Sequence, residues 1–115
     1  MIDTKLYVIN GLKTLGYPVY NEHFLTTDSE IPCISYYQSN DIQKMTGESL
    51  QYSKHYYSIK VWAKNTNDVI NMPISIDKTM RSLGFTRTAV NELWMGDICQ
   101  VELRYEANAL EIMED

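Results

Sequence analysis

The side chains that most often do chemistry in proteins are few in this sequence and far apart. Its two cysteines, Cys33 and Cys99, belong to no CxxC or CxxxC pattern, and each lies in an apolar run typical of a strand. They are interpreted as small buried hydrophobes in a reducing compartment, and a disulfide would require their two strands to be neighbours. His23 and His55 have no second ligand two or four residues away, so no metal site is predicted.

Motifs for phosphate binding and nucleophilic catalysis are also missing. The sequence contains no GxxxxGKS, GxxxxGKT, GxGxxG, GxSxG or HExxH. Ser58, His55 and Asp77 can be assembled into a triad on paper, but nothing in their spacing brings them together. We therefore predict a protein that is not an enzyme and uses no cofactor.

Length and charge narrow the classes of function further. The chain has 115 residues, enough for one domain, and carries 10 Lys and Arg against 15 Asp and Glu, a net charge of -5. Proteins that bind nucleic acid by neutralising phosphates usually show the opposite balance. No apolar run approaches the roughly 20 residues that span a bilayer, and no membrane association is expected.

The elements that must position any functional side chain begin with a helix. Apolar residues at three- and four-residue spacing predict it from Asp3 to about Leu15, ended by Gly16 and by the following proline. A short strand is predicted at Val19 and Tyr20, and a polar loop from Asn21 to Glu30.

A long hairpin is predicted next. Its first strand covers Ile31 to Ser39, Asn40 to Glu48 form a polar connection, and the second strand covers about Leu50 to Lys64. Two faces alternate along the second strand. One holds Tyr57, Ile59, Val61 and Ala63, and the other Tyr56, Ser58, Lys60 and Trp62.

A second helix is indicated by an apolar stripe from Val69 to Leu83. Pro73 lies inside this stripe. The favoured interpretation starts the helix near Asn71, with the proline in its first turn, and the alternative is a longer, kinked helix that begins after a cap in the Asn65–Asp68 segment.

Two strands complete the predicted fold. The first runs from Gly84 to Val90, with Phe85, Arg87 and Ala89 alternating against Thr86, Thr88 and Val90, and Asn91 to Asp97 form a turn region. The last strand alternates most regularly. Its apolar face holds Cys99, Val101, Leu103, Tyr105 and Ala107, and its polar face Gln100, Glu102, Arg104 and Glu106.

The predicted order α-β-β-β-α-β-β corresponds to an α+β fold, with two helices packed on a mainly antiparallel sheet that includes a long β-hairpin. We expect a single domain over residues 1–108, followed by an acidic C-terminal tail over residues 109–115.

Aromatic residues crowd the predicted hairpin. A sheet has one core-facing side, so part of these rings must lie elsewhere, and Tyr and Trp are enriched at protein interfaces. Ordinary core or surface tyrosines and stacking of single-stranded bases are the alternatives, the second needing a basic groove that this acidic chain barely supplies. The predicted interface residues here are Tyr36, Tyr37, Lys44, Tyr52, Tyr56 and Trp62.

The last strand contributes a second set of candidates. Glu102, Arg104 and Glu106 alternate in sign on one face. Such a face is either solvated and ion-paired across strands or a polar subunit interface in which the signs set the register with a neighbour.

Several segments together resemble the small tail completion, or head–tail joining, proteins of long-tailed bacteriophages and related prophage elements. They are Leu15–Tyr20 (LGYPVY), the strand start Ile31–Ile34 (IPCI), the strand end Tyr57–Ala63 (YSIKVWA) and, most specifically, Met80–Arg87 (MRSLGFTR). The resemblance covers most of the chain, from about Leu6 to Tyr105.

This resemblance implies a structural virion protein of the tail or neck, assembled in the host cytoplasm. It would form a ring with copies of itself, expected to be hexameric, at the head-proximal end of the tail. The ring would terminate the tail tube and join it to the neck or head–tail connector protein. DNA would pass through the lumen without specific binding, because an acidic lining repels phosphate.

Three alternatives stay open on the residues alone. One is a neck or head-completion adaptor of the same class. Another is a small acidic protein-binding or inhibitor module, although the acidic residues are spread along the chain. The third is a small enzyme or ligand-binding domain of ferredoxin-like character, against which the helix-first order and the missing titratable cluster both count.

Overall fold

A five-stranded sheet with two helices on one face is seen in the computed structural model, which describes residues 4–26, 29–44 and 51–108. Side chains are described within these ranges except at positions 4, 40–44, 51–54 and 108. The elements are α1 (Thr4–Lys13), β1 (Val19–Asn21), a 3₁₀ turn (Glu22–Phe24), β2 (Cys33–Lys44), β3 (Gln51–Ala63), α2 (Thr66–Ser82), β4 (Thr86–Met95) and β5 (Ile98–Asn108). The predicted α+β class and the order α-β-β-β-α-β-β are confirmed; the tail over residues 109–115 lies outside the described part.

The strands lie side by side in the order β1-β2-β3-β5-β4. β1 is parallel to β2, and all other neighbours are antiparallel. β2 and β3 form the predicted hairpin, paired from Cys33 opposite Trp62 to Lys44 opposite Gln51. The predicted connection is therefore wrong over residues 40–44, which continue β2. The paired strands extend the molecule to 53 × 24 × 22 Å.

The core lies between the helices and one face of the sheet. The alternation predicted for β3 and β5 is confirmed, because Ile59 and Val61 on β3 and Leu103 on β5 are all buried while their sequence neighbours face away. Val8 and Leu12 of α1 complete this layer. Each such aliphatic side chain contributes about 1.5–3 kcal/mol when it is removed from water.

α2 begins at Thr66, five residues before the predicted start, and runs through Pro73. Asn65 caps it, since its side chain accepts a hydrogen bond from the Asp68 backbone N–H at 2.8 Å. Pro73 has no N–H to donate to the carbonyl of Val69, which removes one helical hydrogen bond. Capping and the buried stripe compensate for that loss, so the alternative of a longer helix is correct.

β4 runs to Met95 and turns into β5 at Gly96, whose φ is 67°. The predicted turn is therefore wrong over residues 91–95. A bulge interrupts the pairing between Arg87 and Ala89, which lie opposite Tyr105 and Arg104. Because the extra residue shifts the alternation, Arg87 and Val90 share the helix side of the sheet, and their predicted separation onto opposite faces is wrong.

The two cysteines are buried and free. β2 and β5 flank β3 on either side, so the strands that carry Cys33 and Cys99 are not neighbours. Cys33 lies opposite Trp62 and Cys99 opposite Ala63, on opposite faces of the sheet. Burial raises the pKa of both thiols, and with Glu30 nearby that of Cys33 reaches about 11.

Candidate interface on the open face of the sheet

The face of the sheet turned away from the helices, called here the open face, carries the polar residues of β2, β3 and β5. Strand pairing aligns them in rows, since directly opposite residues share a face. The rows are Ser35–Lys60–Glu102, Tyr37–Ser58–Arg104 and Ser39–Tyr56–Glu106. The predicted polar face of the last strand and the polar face of the hairpin therefore form one surface.

Glu102 is the centre of the charges on this surface. It accepts a hydrogen bond from Ser58 Oγ at 2.6 Å, and Arg104 Nε lies 3.3 Å from the same carboxylate oxygen. The bond from Ser58 outweighs the effect of partial burial and, with Arg104 and Lys60 nearby, lowers the pKa of Glu102. Lys60 also pairs with Glu22 at 3.2 Å. These contacts orient the charges before any partner arrives.

The predicted aromatic residues divide between the two faces. Tyr37 is 44% exposed on the open face, with its ring edge-on to His23 at 5.8 Å, and Tyr56 is half-buried beside it. Trp62 also lies on this face, where its Nε1 donates to Ser35 Oγ at 2.9 Å. Tyr36 lies in the core at 8% exposure, so its ring does not contribute to this surface. The side chains of Lys44 and Tyr52 lie outside the described part.

Two depressions mark the open face. One, of about 450 Å³, runs over the polar rows between Glu22, Tyr37 and Thr88. The other, of about 460 Å³, is apolar and lies between Leu25, Trp62 and Ile98, with Cys33 in its lining. A surface with rings, fixed charges and an apolar depression suits contact with another protein.

The structure does not bring Ser58, His55 and Asp77 together as a catalytic triad. Ser58 lies on the open face and donates to Glu102, whereas His55 is buried on the helix side of the same strand. Asp77 lies on α2, where it binds Tyr105 and Arg81. The geometry thus brings neither His55 nor Asp77 to Ser58.

Within residues 4–26, 29–44 and 51–108, no three His, Cys, Asp or Glu side chains come together as metal ligands. No helix in these ranges has the length and apolar character needed to cross a membrane.

Among solved structures, a chain in the virion of a native gene transfer agent particle has the same architecture. The match has a TM-score of 0.50 and covers 88% of this chain and 90% of that chain, at 12% sequence identity. The two chains share a fold. No protein-family model matches the sequence, and no curated protein matches it either.

Sequence reasoning missed the exposed apolar residues at the β4 edge, which lie on both faces of the sheet. Val90, Leu93, Trp94 and Met95 are each 43–54% exposed there. The predicted strand ends at Val90, and the turn predicted over Asn91 to Asp97 includes the other three residues. The available signal was Gly96-Asp97 after residues that favour strands, which is typical of a tight hairpin turn.

Proposed function

We propose that this chain is a structural virion protein of a long-tailed bacteriophage or a related particle. Copies of it form a ring, hexameric in our proposal, at the head-proximal end of the tail. The ring stops polymerisation of the tail tube and joins the tube to the neck or head–tail connector protein. Its partners are therefore other copies of itself, the tube protein below and the connector protein above.

The shared fold with the gene transfer agent virion chain carries this proposal. The likeness extends over 88% of this chain and 90% of that chain, so it involves the whole architecture and not one common motif. Fold alone does not imply function, but here the sequence motifs and the shared fold independently point to the same class of particle.

The open face supports a role in assembly. Its charges are held by neighbours, as in the Ser58–Glu102–Arg104 contacts, and its aromatic rings Tyr37 and Trp62 lie at the surface of the sheet. Such a rigid, patterned face can set the register with a partner at low entropic cost. DNA would pass through the ring without specific binding, consistent with the net charge of -5.

The experiment is deletion of the gene in the virus or particle that encodes this chain, followed by electron microscopy of the lysate. A terminator predicts free heads together with tail tubes longer than those of the wild type, because nothing stops tube growth. Supplying the protein in trans should restore tail length and joining.

Two other outcomes decide against the proposal. Free heads with tails of normal length would assign the chain to the neck or head-completion adaptor instead. Complete particles of normal infectivity would remove the virion role and leave the acidic binding module as the better interpretation.

A further inference from the structure

The β4 edge of the molecule carries an apolar surface on its helix side. Val90 and Trp94 lie opposite Leu103 and Cys99, so they point to the side where the helices pack, yet each is 48% exposed. Ile70 and Ile74 of α2 are 53% and 52% exposed on the same side. We name these four residues the edge surface.

Helix geometry explains why the two isoleucines lie beside β4. Ile70, Ile74 and Asp77 follow one another at four- and three-residue spacing, which places them along one stripe of α2. Asp77 faces β4, because Arg87 Nη1 lies 3.6 Å from its carboxylate. The stripe is thus apolar at its N-terminal end, on the side of α2 that faces β4.

The edge strand itself needs a cover. β4 is ten residues long and, among the strands that the structure describes, pairs with β5 alone, so its other edge faces outward from that sheet. Long apolar edge strands promote association unless something covers or blunts them. The other edge strand, β1, has three residues and cannot match it in length.

A second exposed apolar surface lies at the opposite edge, on α1. Leu6 is 62% and Tyr7 50% exposed, while Val8 and Leu12 hold the helix on the core. α1 packs on β1 and on α2, whereas α2 packs on β3, β5 and β4. The exposed side of α1 is named here the helix surface. It lies near the β1 edge of the sheet, and β4 forms the opposite edge.

The charges of the two surfaces are complementary. α1 contains Lys5 and Lys13 and no acidic residue. The segment from Asn91 to Asp97 contains Glu92 and Asp97 and no basic residue. Glu92 also accepts a hydrogen bond from Trp94 Nε1 at 2.9 Å, which fixes a negative charge next to the largest apolar side chain of the edge surface.

We infer that the edge surface of one copy binds the helix surface of the next copy of this chain. The contact joins two different surfaces, so each copy can bind one neighbour through its edge surface and another through its helix surface, and the series closes when the rotation permits. Apolar contact between Trp94 and Leu6 supplies the affinity, and attraction between Glu92 and Lys13 sets the orientation. This inference rests on the proposed function, because it names the contact that builds the ring.

Light scattering on three purified proteins tests it: the wild type, Leu6→Asp and Trp94→Asp. The matched control is Asn71→Asp, an exposed position on α2 outside the Ile70–Ile74 stripe. We expect the wild type and the control to form the same multimer, and both surface variants to fall to the 13.4 kDa of one chain. Circular dichroism and thermal unfolding verify that each variant is folded.

Mixing the two variants gives the decisive result. Each retains one intact surface, so a mixture of Leu6→Asp and Trp94→Asp should form a one-to-one dimer that grows no further. A contact between identical surfaces predicts instead that one variant alone still self-associates and that no mixed dimer forms, because every mixed pair would contain one damaged surface. Absence of a dimer in the mixture would overturn the inference.

Other outcomes separate this contact from the proposed function. If both variants keep the wild-type multimer, these surfaces are not the contact, although a ring built through others stands. If the wild type stays monomeric at all concentrations, self-association through these surfaces is refuted. The gene-deletion phenotype then decides the virion role by itself.

Discussion

The hydroxyl of Tyr105 on β5 donates a hydrogen bond to Asp77 Oδ1 of α2, at 2.9 Å. The same carboxylate accepts from Arg81 Nε at 2.8 Å and lies 3.6 Å from Arg87 Nη1 of β4. One acidic side chain therefore links the helix to both C-terminal strands.

Removing the hydroxyl in Tyr105→Phe should destabilise the protein by about 1–2 kcal/mol, because a hydrogen bond to a charged group at a partly buried position is lost. Urea unfolding at neutral pH measures the change. Tyr37→Phe is the control, since that ring is 44% exposed on the open face. Equal stability of Tyr105→Phe and the wild type would show that the bond contributes nothing.

Asp77 should also make stability depend on pH in the acidic range. Partial burial raises its pKa, but bonds from Arg81 and Tyr105 and the nearby Arg87 outweigh burial and hold the pKa below its ordinary value of 3.8. The unfolded chain therefore binds the proton more readily. The stabilisation is complete above that ordinary value and is lost as pH falls through the lower pKa of the folded protein.

The test compares urea unfolding of the wild type and Asp77→Asn between about pH 7 and about pH 3. The wild type should lose more stability on acidification than the variant. Asn67→Ala, an exposed uncharged substitution in the first turn of the same helix, should keep the wild-type pH dependence. Parallel curves for the wild type and Asp77→Asn would contradict the assignment.

Gly11 is predicted to be required for the close approach of α1 and α2. A Cβ at this position would lie 2.9 Å from Thr79 Cγ2 and 3.4 Å from Leu83 Cδ1. Gly→Ala in a helix normally gains about 0.5–1 kcal/mol. Here we expect Gly11→Ala to give no such stabilisation. The χ1 angle of Thr79 is restricted in a helix, so its methyl group cannot move away from the new Cβ without an energetic cost.

A double-mutant cycle measures this contact. Thr79→Ser removes the crowding methyl group, so Gly11→Ala should stabilise the protein in that background, with a coupling of about 1 kcal/mol. Asn10→Ala, at an exposed position of α1, is the control and should show no coupling to Thr79→Ser. Additive effects of Gly11→Ala and Thr79→Ser would mean that the helices do not touch there.

The two thiols should be protected in the native protein. Cys33 and Cys99 are both 0% exposed and their pKa values are raised, so few thiolates form at neutral pH. Alkylation with iodoacetamide, followed by mass spectrometry, should be slow until urea unfolds the chain. A Cys33–Cys99 disulfide under mild oxidation would contradict the strand order.

The regular strands could be predicted from sequence because their pattern is strictly local. Cys99, Val101, Leu103 and Tyr105 alternate with polar residues, and each faces the core as expected. The start of α2 differs from the prediction because it depends on tertiary packing and not on a local pattern. Pro73 is a strong local signal against a helix, and the cap at Asn65 and the buried stripe outweigh it only when tertiary packing is included.

The contacts that define the surfaces depend on residues distant in sequence. Tyr105 and Asp77 are 28 residues apart, and Ser58 and Glu102 are 44 apart. Strand pairing brings such residues together, and no local spacing indicates it. Lys60, Glu102 and Arg104 were recognisable as polar faces of separate strands, but their union on one surface needed β3 and β5 to be neighbours.

The bulge between Arg87 and Ala89 determines on which face of the sheet Val90 and Trp94 lie. With Thr88 as an extra residue, Val90 and Trp94 lie on the helix side of the sheet, while Ala89 and Leu93 lie on the open face, opposite Arg104 and Gln100. If Thr88 were instead paired as an ordinary residue of the ladder, every later position of the strand would face the other way, and the tryptophan would lie on the charged side. The single extra residue thus places the edge surface and the charged open face on opposite faces of the same sheet.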